Sequence, residues 1–160
     1  MRLLLAAVGR LKDGPERELF ARYWERLEQT GRGVAIGPLR LAELAEGRAR
    51  TANQRRSDEA VRLLKVAEGA DVWVALDVRG KAMTSEAFAR WLAEIRDGGM
   101  ETIAFLIGGP DGHGEAALKA AAVKLSLGSM TLPHGLVRIV LAEQLYRAAT
   151  ILAGHPYHRQ

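Results

Sequence analysis

The residues of this chain best suited to chemistry lie in its second half. Gly108-Gly109-Pro110-Asp111-Gly112-His113-Gly114 places four glycines in seven residues, so the backbone there must turn tightly or let another group approach closely. Gly112, Gly114 and Ala117 satisfy the G-x-G-x-x-A spacing of dinucleotide sites. That reading fails on position, because the fingerprint belongs to the first strand-to-helix turn with an acid about 20 residues further on. Here the loop comes late, and His134 stands where the acid is due. The G-x-x-x-x-G-K-[ST] spacing of a phosphate loop is also missing, which argues against a nucleotide-hydrolysing enzyme. A plain turn and a close approach to a ligand both remain open.

Leu125 to Gly135 is small, apolar and free of Lys, Arg, Asp and Glu. Exposed loops are normally polar, so such a segment either packs as a half-buried edge strand or lines an apolar pocket that would suit an adenine ring. His155 and His158 have a metal-like spacing, but no acid or Cys accompanies them, and no metal site is expected. The end of the chain, His155-Pro156-Tyr157-His158-Arg159-Gln160, puts aromatic and cationic groups where a stacked base or a phosphate could meet them, with a solvated tail as the alternative. Arg48, Arg50, Arg55 and Arg56 fall within nine residues that hold no acid. At a helix start cations oppose the dipole, so either a polyanion or plain solvent is their partner.

These groups need a scaffold. The 160 residues are 48% hydrophobic and 26% charged, enough for the core of one domain, taken as residues 1–160. The absence of Cys excludes a disulfide framework and thiolate catalysis and agrees with a reducing, cytoplasmic setting. No apolar run reaches the length of a membrane span, and Leu3 to Val8 is too short for a secretory signal. The net charge of +4 and pI near 9.8 allow a polyanionic partner without requiring one.

Leu3–Val8, Asp71–Val78 and Thr102–Ile107 read as buried strands of a parallel sheet, with Val34–Leu39 weaker and Leu125–Leu132 a strand or a loop. Helical patterns cover Pro15–Gln29, about Asn53–Glu68, Thr84–Asp97 with Thr84 as N-cap, Glu115–Lys124 and about Leu136–Leu152. The alternation predicts an α/β fold with right-handed crossovers. The last helix is apolar on more than one face, through Val137, Leu141, Leu145, Ala148 and Leu152 and again through Leu136, Ile139, Val140 and Ala149. It must be covered either by a partner subunit or by the rest of its own chain.

Several blocks, taken in order, carry a resemblance: Leu76-Asp77-Val78-Arg79-Gly80-Lys81, Leu106 to Gly112, Leu127 to Leu132 with Pro133-His134, Arg138 to Ala148, and His155 to Arg159. With Ala7-Val8-Gly9 and the helix bearing Tyr23, they resemble the RlmH family of SPOUT-class methyltransferases over nearly the whole chain. The resemblance implies a SPOUT fold with a C-terminal trefoil knot, S-adenosylmethionine as cofactor, and a homodimer with its active site at the interface. It implies as substrate a pseudouridine of 23S rRNA, methylated at N3, on the assembled ribosome.

By the same resemblance the cofactor positions are Leu76, Gly108, Leu127, Gly128, Ser129, Met130, Thr131 and Leu132. Methylating N3 requires loss of its proton and stabilisation of the ring anion. His134, Arg138, Tyr157, His158 and Arg159 are the catalytic candidates, with the proton acceptor among them undecided. A non-catalytic RNA-binding protein with the same fold is the rival reading.

Overall fold

The computed structural model describes residues 1–159, with side chains described through Tyr157. Its frame is a five-stranded, wholly parallel sheet in the order β2-β1-β4-β3-β5. The strands are β1 (Arg2–Val8), β2 (Leu39–Leu44), β3 (Val72–Ala82), β4 (Thr102–Ile107) and β5 (Val123–Ser126). Between and after them run α1 (Pro15–Arg32), α2 (Ala52–Val66), α3 (Ser85–Asp97), α4 (Glu115–Ala120) and α5 (His134–Leu152), then a short 3-10 turn, Pro156–Arg159.

The packing of β1, an interior strand, shows why its apolarity is unbroken. Leu3, Leu5 and Ala7 pack into a core with Phe20 and Leu27 of α1, Phe88 and Leu92 of α3, and Leu141 and Leu145 of α5. Leu4, Ala6 and Val8 point the other way, onto Leu63 of α2 and Ala67 just beyond it. Both faces of β1 are thus covered, and every second residue serves a different core.

Three expected boundaries move. The weak strand expected at Val34–Leu39 forms instead at Leu39–Leu44. Val34 and Ile36 donate to the Gly31 carbonyl at the end of α1, and Pro38 has no N–H to give a ladder. Its carbonyl accepts from Leu3 at 3.1 Å, so pairing with β1 begins only there. The helix expected at Glu115–Lys124 stops at Ala120, because Ala121 turns extended and the Ala122 N–H donates to the Trp73 carbonyl at 2.9 Å. The residues that follow become β5. Thr84 caps α3 as expected, its hydroxyl accepting the Ala87 N–H at 3.1 Å.

The apolar faces of α5 are covered largely within the chain. Arg138, Leu141, Ala142, Leu145, Ala148 and Ala149 are buried as the helix packs against α1 and α3. Leu136, 40% exposed, and the half-buried Val140 remain on its outer side. No helix among the described residues is long and apolar enough to cross a membrane.

Candidate active site

In a parallel α/β sheet the loops leaving the carboxyl ends of the strands gather on one edge, and ligands bind there. In this chain the loops after β3, β4 and β5 enclose a cavity of about 700 Å³, within the size range of small-molecule sites. The crossover from β4 passes β3 to reach β5, so the turn at 108–112 and the loop at 127–133 face each other across the end of β3.

Each wall has a local cause. A Cβ on Gly108 would stand 2.9 Å from the backbone carbonyl of Gly112, so only glycine lets the turn fold back on itself. The turn closes through the Gly112 N–H, which donates to the Gly109 carbonyl at 2.9 Å. On the β3 side the pairing with β5 runs through Leu76, breaks, and resumes at Lys81. The intervening Asp77-Val78-Arg79-Gly80 bulges out along the cavity, and a Cβ on Gly80 would strike the Lys124 carbonyl at 2.6 Å. The β5 wall is pinned by Ser126, whose hydroxyl donates to the Gly128 carbonyl at 2.9 Å and accepts the Gly128 N–H at 3.2 Å.

Of the eight cofactor positions expected, Leu76, Gly108, Leu127, Gly128, Met130, Thr131 and Leu132 line this cavity, and Ser129 does not. His134, the first residue of α5, lines it too. A Cβ on Gly9 would lie 3.1 Å from His134 Nε2, so the loop after β1 is drawn against this imidazole.

The other catalytic candidates sit elsewhere in the single chain. Arg138 is fully buried and does not line the cavity. Its Nη1 donates to Glu43 Oε1 and its Nη2 to the Gly9 carbonyl, both at 2.5 Å, which ties α5 to the ends of β1 and β2. In the single chain its guanidinium has no exposed surface and holds the loop at Gly9. Tyr157 follows the far end of α5. It folds back onto the helix at Glu143, nine residues beyond His134, so at 1.5 Å per residue its hydroxyl lies about 14 Å along α5 from His134. The side chains of His158 and Arg159 lie outside the described residues.

Tyr157 is not part of the solvated tail that the sequence left open as an alternative. Its ring lies 4.6 Å from that of Tyr146 and its hydroxyl donates to Glu143 Oε1 at 3.1 Å. The Arg147 guanidinium stands 5.0 Å from its ring centre. Burial, then the neighbouring Glu143 carboxylate, push its hydroxyl well above the usual tyrosine range. It is a phenol that donates a hydrogen bond to Glu143 at neutral pH.

Several cavity residues escaped the sequence reading. Asp77 accepts the Arg79 N–H at 2.8 Å. Burial pushes its carboxyl up, but the Arg79 N–H and guanidinium outweigh this and hold it below the usual range. A charge at the carboxyl end of a buried strand was the available signal. His113 Nε2–H donates to the Leu106 carbonyl at 3.1 Å while Nδ1 is buried without a partner, and burial holds the imidazole below its usual pKa. Asp111 is gripped from outside by Arg55, Nε to Oδ2 at 2.7 Å and Nη2 to Oδ1 at 3.2 Å, which holds its carboxyl below the usual range. No group of acids and histidines suited to a metal occurs among the described residues.

A parallel α/β sheet with a largely apolar cavity built from three loops on its carboxyl edge is the frame of a cofactor-binding enzyme. The family described as predicted SPOUT methyltransferase matches residues 1–158, and the chain belongs to it, within the group of ribosomal RNA large subunit methyltransferase H. Proteins of that name from Xanthobacter autotrophicus, Rhizobium leguminosarum and Sinorhizobium medicae are 49%, 51% and 52% identical to it, each over 99% of both chains. A solved probable methylase family protein from Haemophilus influenzae matches the fold with a TM-score of 0.52 at 10% identity, over 98% of this chain and 69% of that one. The chain is a methyltransferase of the S-adenosylmethionine-using kind. The cavity fits that cofactor in volume, in its apolar wall from Leu76 to Leu132, and in a turn at Gly108 that no side chain could occupy.

Proposed function

We propose that this chain methylates the large-subunit 23S rRNA at N3 of a pseudouridine, acting as a single-domain homodimer on the assembled ribosome in the cytoplasm. The observation that carries the proposal is the gathering of seven of the eight expected cofactor positions around one cavity, with His134 at its edge. Full-length relatives named as large-subunit rRNA methyltransferases support the substrate.

Leu76, Gly108, Leu127, Gly128, Met130, Thr131 and Leu132 hold S-adenosylmethionine, which supplies an electrophilic methyl group when bound. The protein must place N3 beside it, accept or release the N3 proton, and offset negative charge on the ring. His134 is the titratable group with access to the cavity from α5. Arg138 keeps it in place by fastening the loop at Gly9.

The distance along α5 supports a dimer. Within one chain the Tyr157 hydroxyl lies more than two turns of α5 from His134 and is bonded to Glu143, so Tyr157, with His158 and Arg159 beside it in sequence, is proposed to serve the cavity of a second copy. Leu136 and Val140, left on the outer side of α5, and the 81% exposed Met130 supply apolar surface for that contact.

Transfer of labelled methyl from S-adenosylmethionine to ribosomes lacking the modification tests the function. The expected result is one methyl per large subunit, with much less on naked transcript. Binding to ribosomes without transfer would instead establish a non-catalytic RNA-binding protein.

A further inference from the structure

Arg48, Arg50, Arg55 and Arg56 look alike in sequence but do not share one role. Arg55 faces inward: besides its fork on Asp111, its Nη1 donates to the Ala49 carbonyl at 3.0 Å and the Arg50 carbonyl at 3.4 Å. It therefore grips the cofactor turn at 108–112 and the loop before α2 together. Glu59, buried on α2, holds the same loop to its own helix: its Oε1 accepts the Gly47 N–H at 2.7 Å, while Oε2 lies against Gly109 without a hydrogen-bond partner. The loop 45–51 is thus fastened to the cofactor turn through Arg55 and to α2 through Glu59.

The same contacts consume the local acids. Asp111 is paired with Arg55 and also lies near Arg56, and Glu59 is bonded to the Gly47 N–H, so among the described residues neither acid makes an ion pair with Arg48 or Arg50. Arg48 and Arg50 are exposed and have no ion pair among the described residues. Arg56 lines the cavity, its guanidinium bonded to the neutral Asn53 amide oxygen and in no ion pair among the described residues. The exposed Glu46 is the one acid on this loop. Across the cavity, Arg79 is 81% exposed, and its guanidinium reaches Asp77 through long contacts of 3.4 and 3.5 Å. The first turn of α2 holds no acid, so its cations are not there for the helix.

Resting on the methyltransferase reading above, we infer that Arg48, Arg50 and Arg56 form a phosphate-docking rim for the RNA backbone beside the cofactor pocket, while Arg55 is a non-contacting strut that sets this rim against the turn at 108–112. Phosphate contacts position a nucleic acid without reading its sequence. A rim fixed rigidly to the cofactor turn therefore sets how far from the methyl donor the backbone lies.

The two roles separate in one experiment, binding to unmodified large ribosomal subunits as a function of KCl alongside calorimetry with S-adenosylmethionine. Arg48→Ala/Arg50→Ala is expected to flatten the slope of log K against log salt by about 1.5 and leave cofactor affinity unchanged. Arg55→Ala is expected to weaken cofactor affinity at least tenfold with the slope intact. Arg55→Lys, which keeps the charge but not the fork, should restore little of that loss. An unchanged slope in the double variant, or a slope lost on Arg55→Ala and regained with Lys, overturns the inference while wild-type methyl transfer leaves the functional reading standing. Wild-type protein that binds cofactor but methylates no ribosome fails the functional reading, and the inference falls with it.

Discussion

Arg138 and Glu43 meet at 2.5 Å across 95 residues of sequence, the guanidinium fully buried and the carboxylate partly so. Glu43 also accepts the Leu11 N–H at 2.9 Å, so this pair, with the Gly9 carbonyl, fixes the whole loop after β1. Arg138→Met should destabilise the fold by about 3 kcal/mol, because Glu43 and the Gly9 carbonyl lose a charged donor they cannot replace. Arg138→Lys should recover part of this. Urea unfolding of the three proteins gives the comparison, and a Met variant as stable as wild type would show the pair to be dispensable.

The pocket turn gives a sharper binding prediction. Gly108→Ala puts a methyl within 2.9 Å of the Gly112 carbonyl, so the turn must shift and S-adenosylmethionine affinity should fall at least tenfold, about 1.4 kcal/mol. Ser129→Ala, outside the cavity lining, should change it by less than about twofold. Calorimetry in a chelator measures both and shows whether binding needs a metal.

His113 makes stability depend on acid. Its pKa is held down by burial, so as pH falls below the ordinary histidine value of 6.5 the unfolded chain takes up a proton that the folded chain resists. Stability from this residue is present above that pH and declines through the acid range below it. Denaturant midpoints between pH 7 and 5 should fall less steeply in His113→Leu than in wild type. Parallel curves would remove His113 as the cause.

Tyr157 acts at the opposite end of the scale. Its hydroxyl titrates higher in the folded chain than the ordinary 10.0, so its contribution is complete below that pH and is lost as pH rises beyond it. Tyr157→Phe should flatten the alkaline loss and cost about 1 kcal/mol at neutral pH through the missing bond to Glu143. Deleting Tyr157 onward should lower the melting temperature, since the Tyr146 contact goes with it. An unchanged melt would return the tail to the status of a solvated end.

The dimer is tested on the outer side of α5. Leu136→Glu leaves the single-chain core intact, because Leu136 is 40% exposed there, but would bury a charge between two copies. Sedimentation should change from dimer to monomer and methyl transfer should collapse. A wild type that already sediments as a monomer at micromolar concentration would rule the dimer out.

The three buried strands, the cap at Thr84 and the loops that line the cavity were legible in the sequence because each depends on neighbours within a few residues: an apolar run, a hydroxyl before a helix, glycines in a turn. The cofactor set came from family blocks in register, and seven of its eight positions border the cavity. What the tertiary structure alone decided is which distant groups meet. The order β2-β1-β4-β3-β5 brings Arg138 to Glu43 and Arg55 to Asp111, and no local period carries that information. The pattern from Glu115 to Lys124 predicts helix to its end, yet an unpaired edge of β3 takes Val123 to Ser126 as a strand, because backbone groups left at that edge gain more from a ladder than from another helical turn. Tyr157, whose sequence position suggests a free end able to meet RNA, is held by Tyr146 and Glu143 for the same reason: packing partners are assigned by the fold, and charge and apolarity along the chain only limit which assignments are possible.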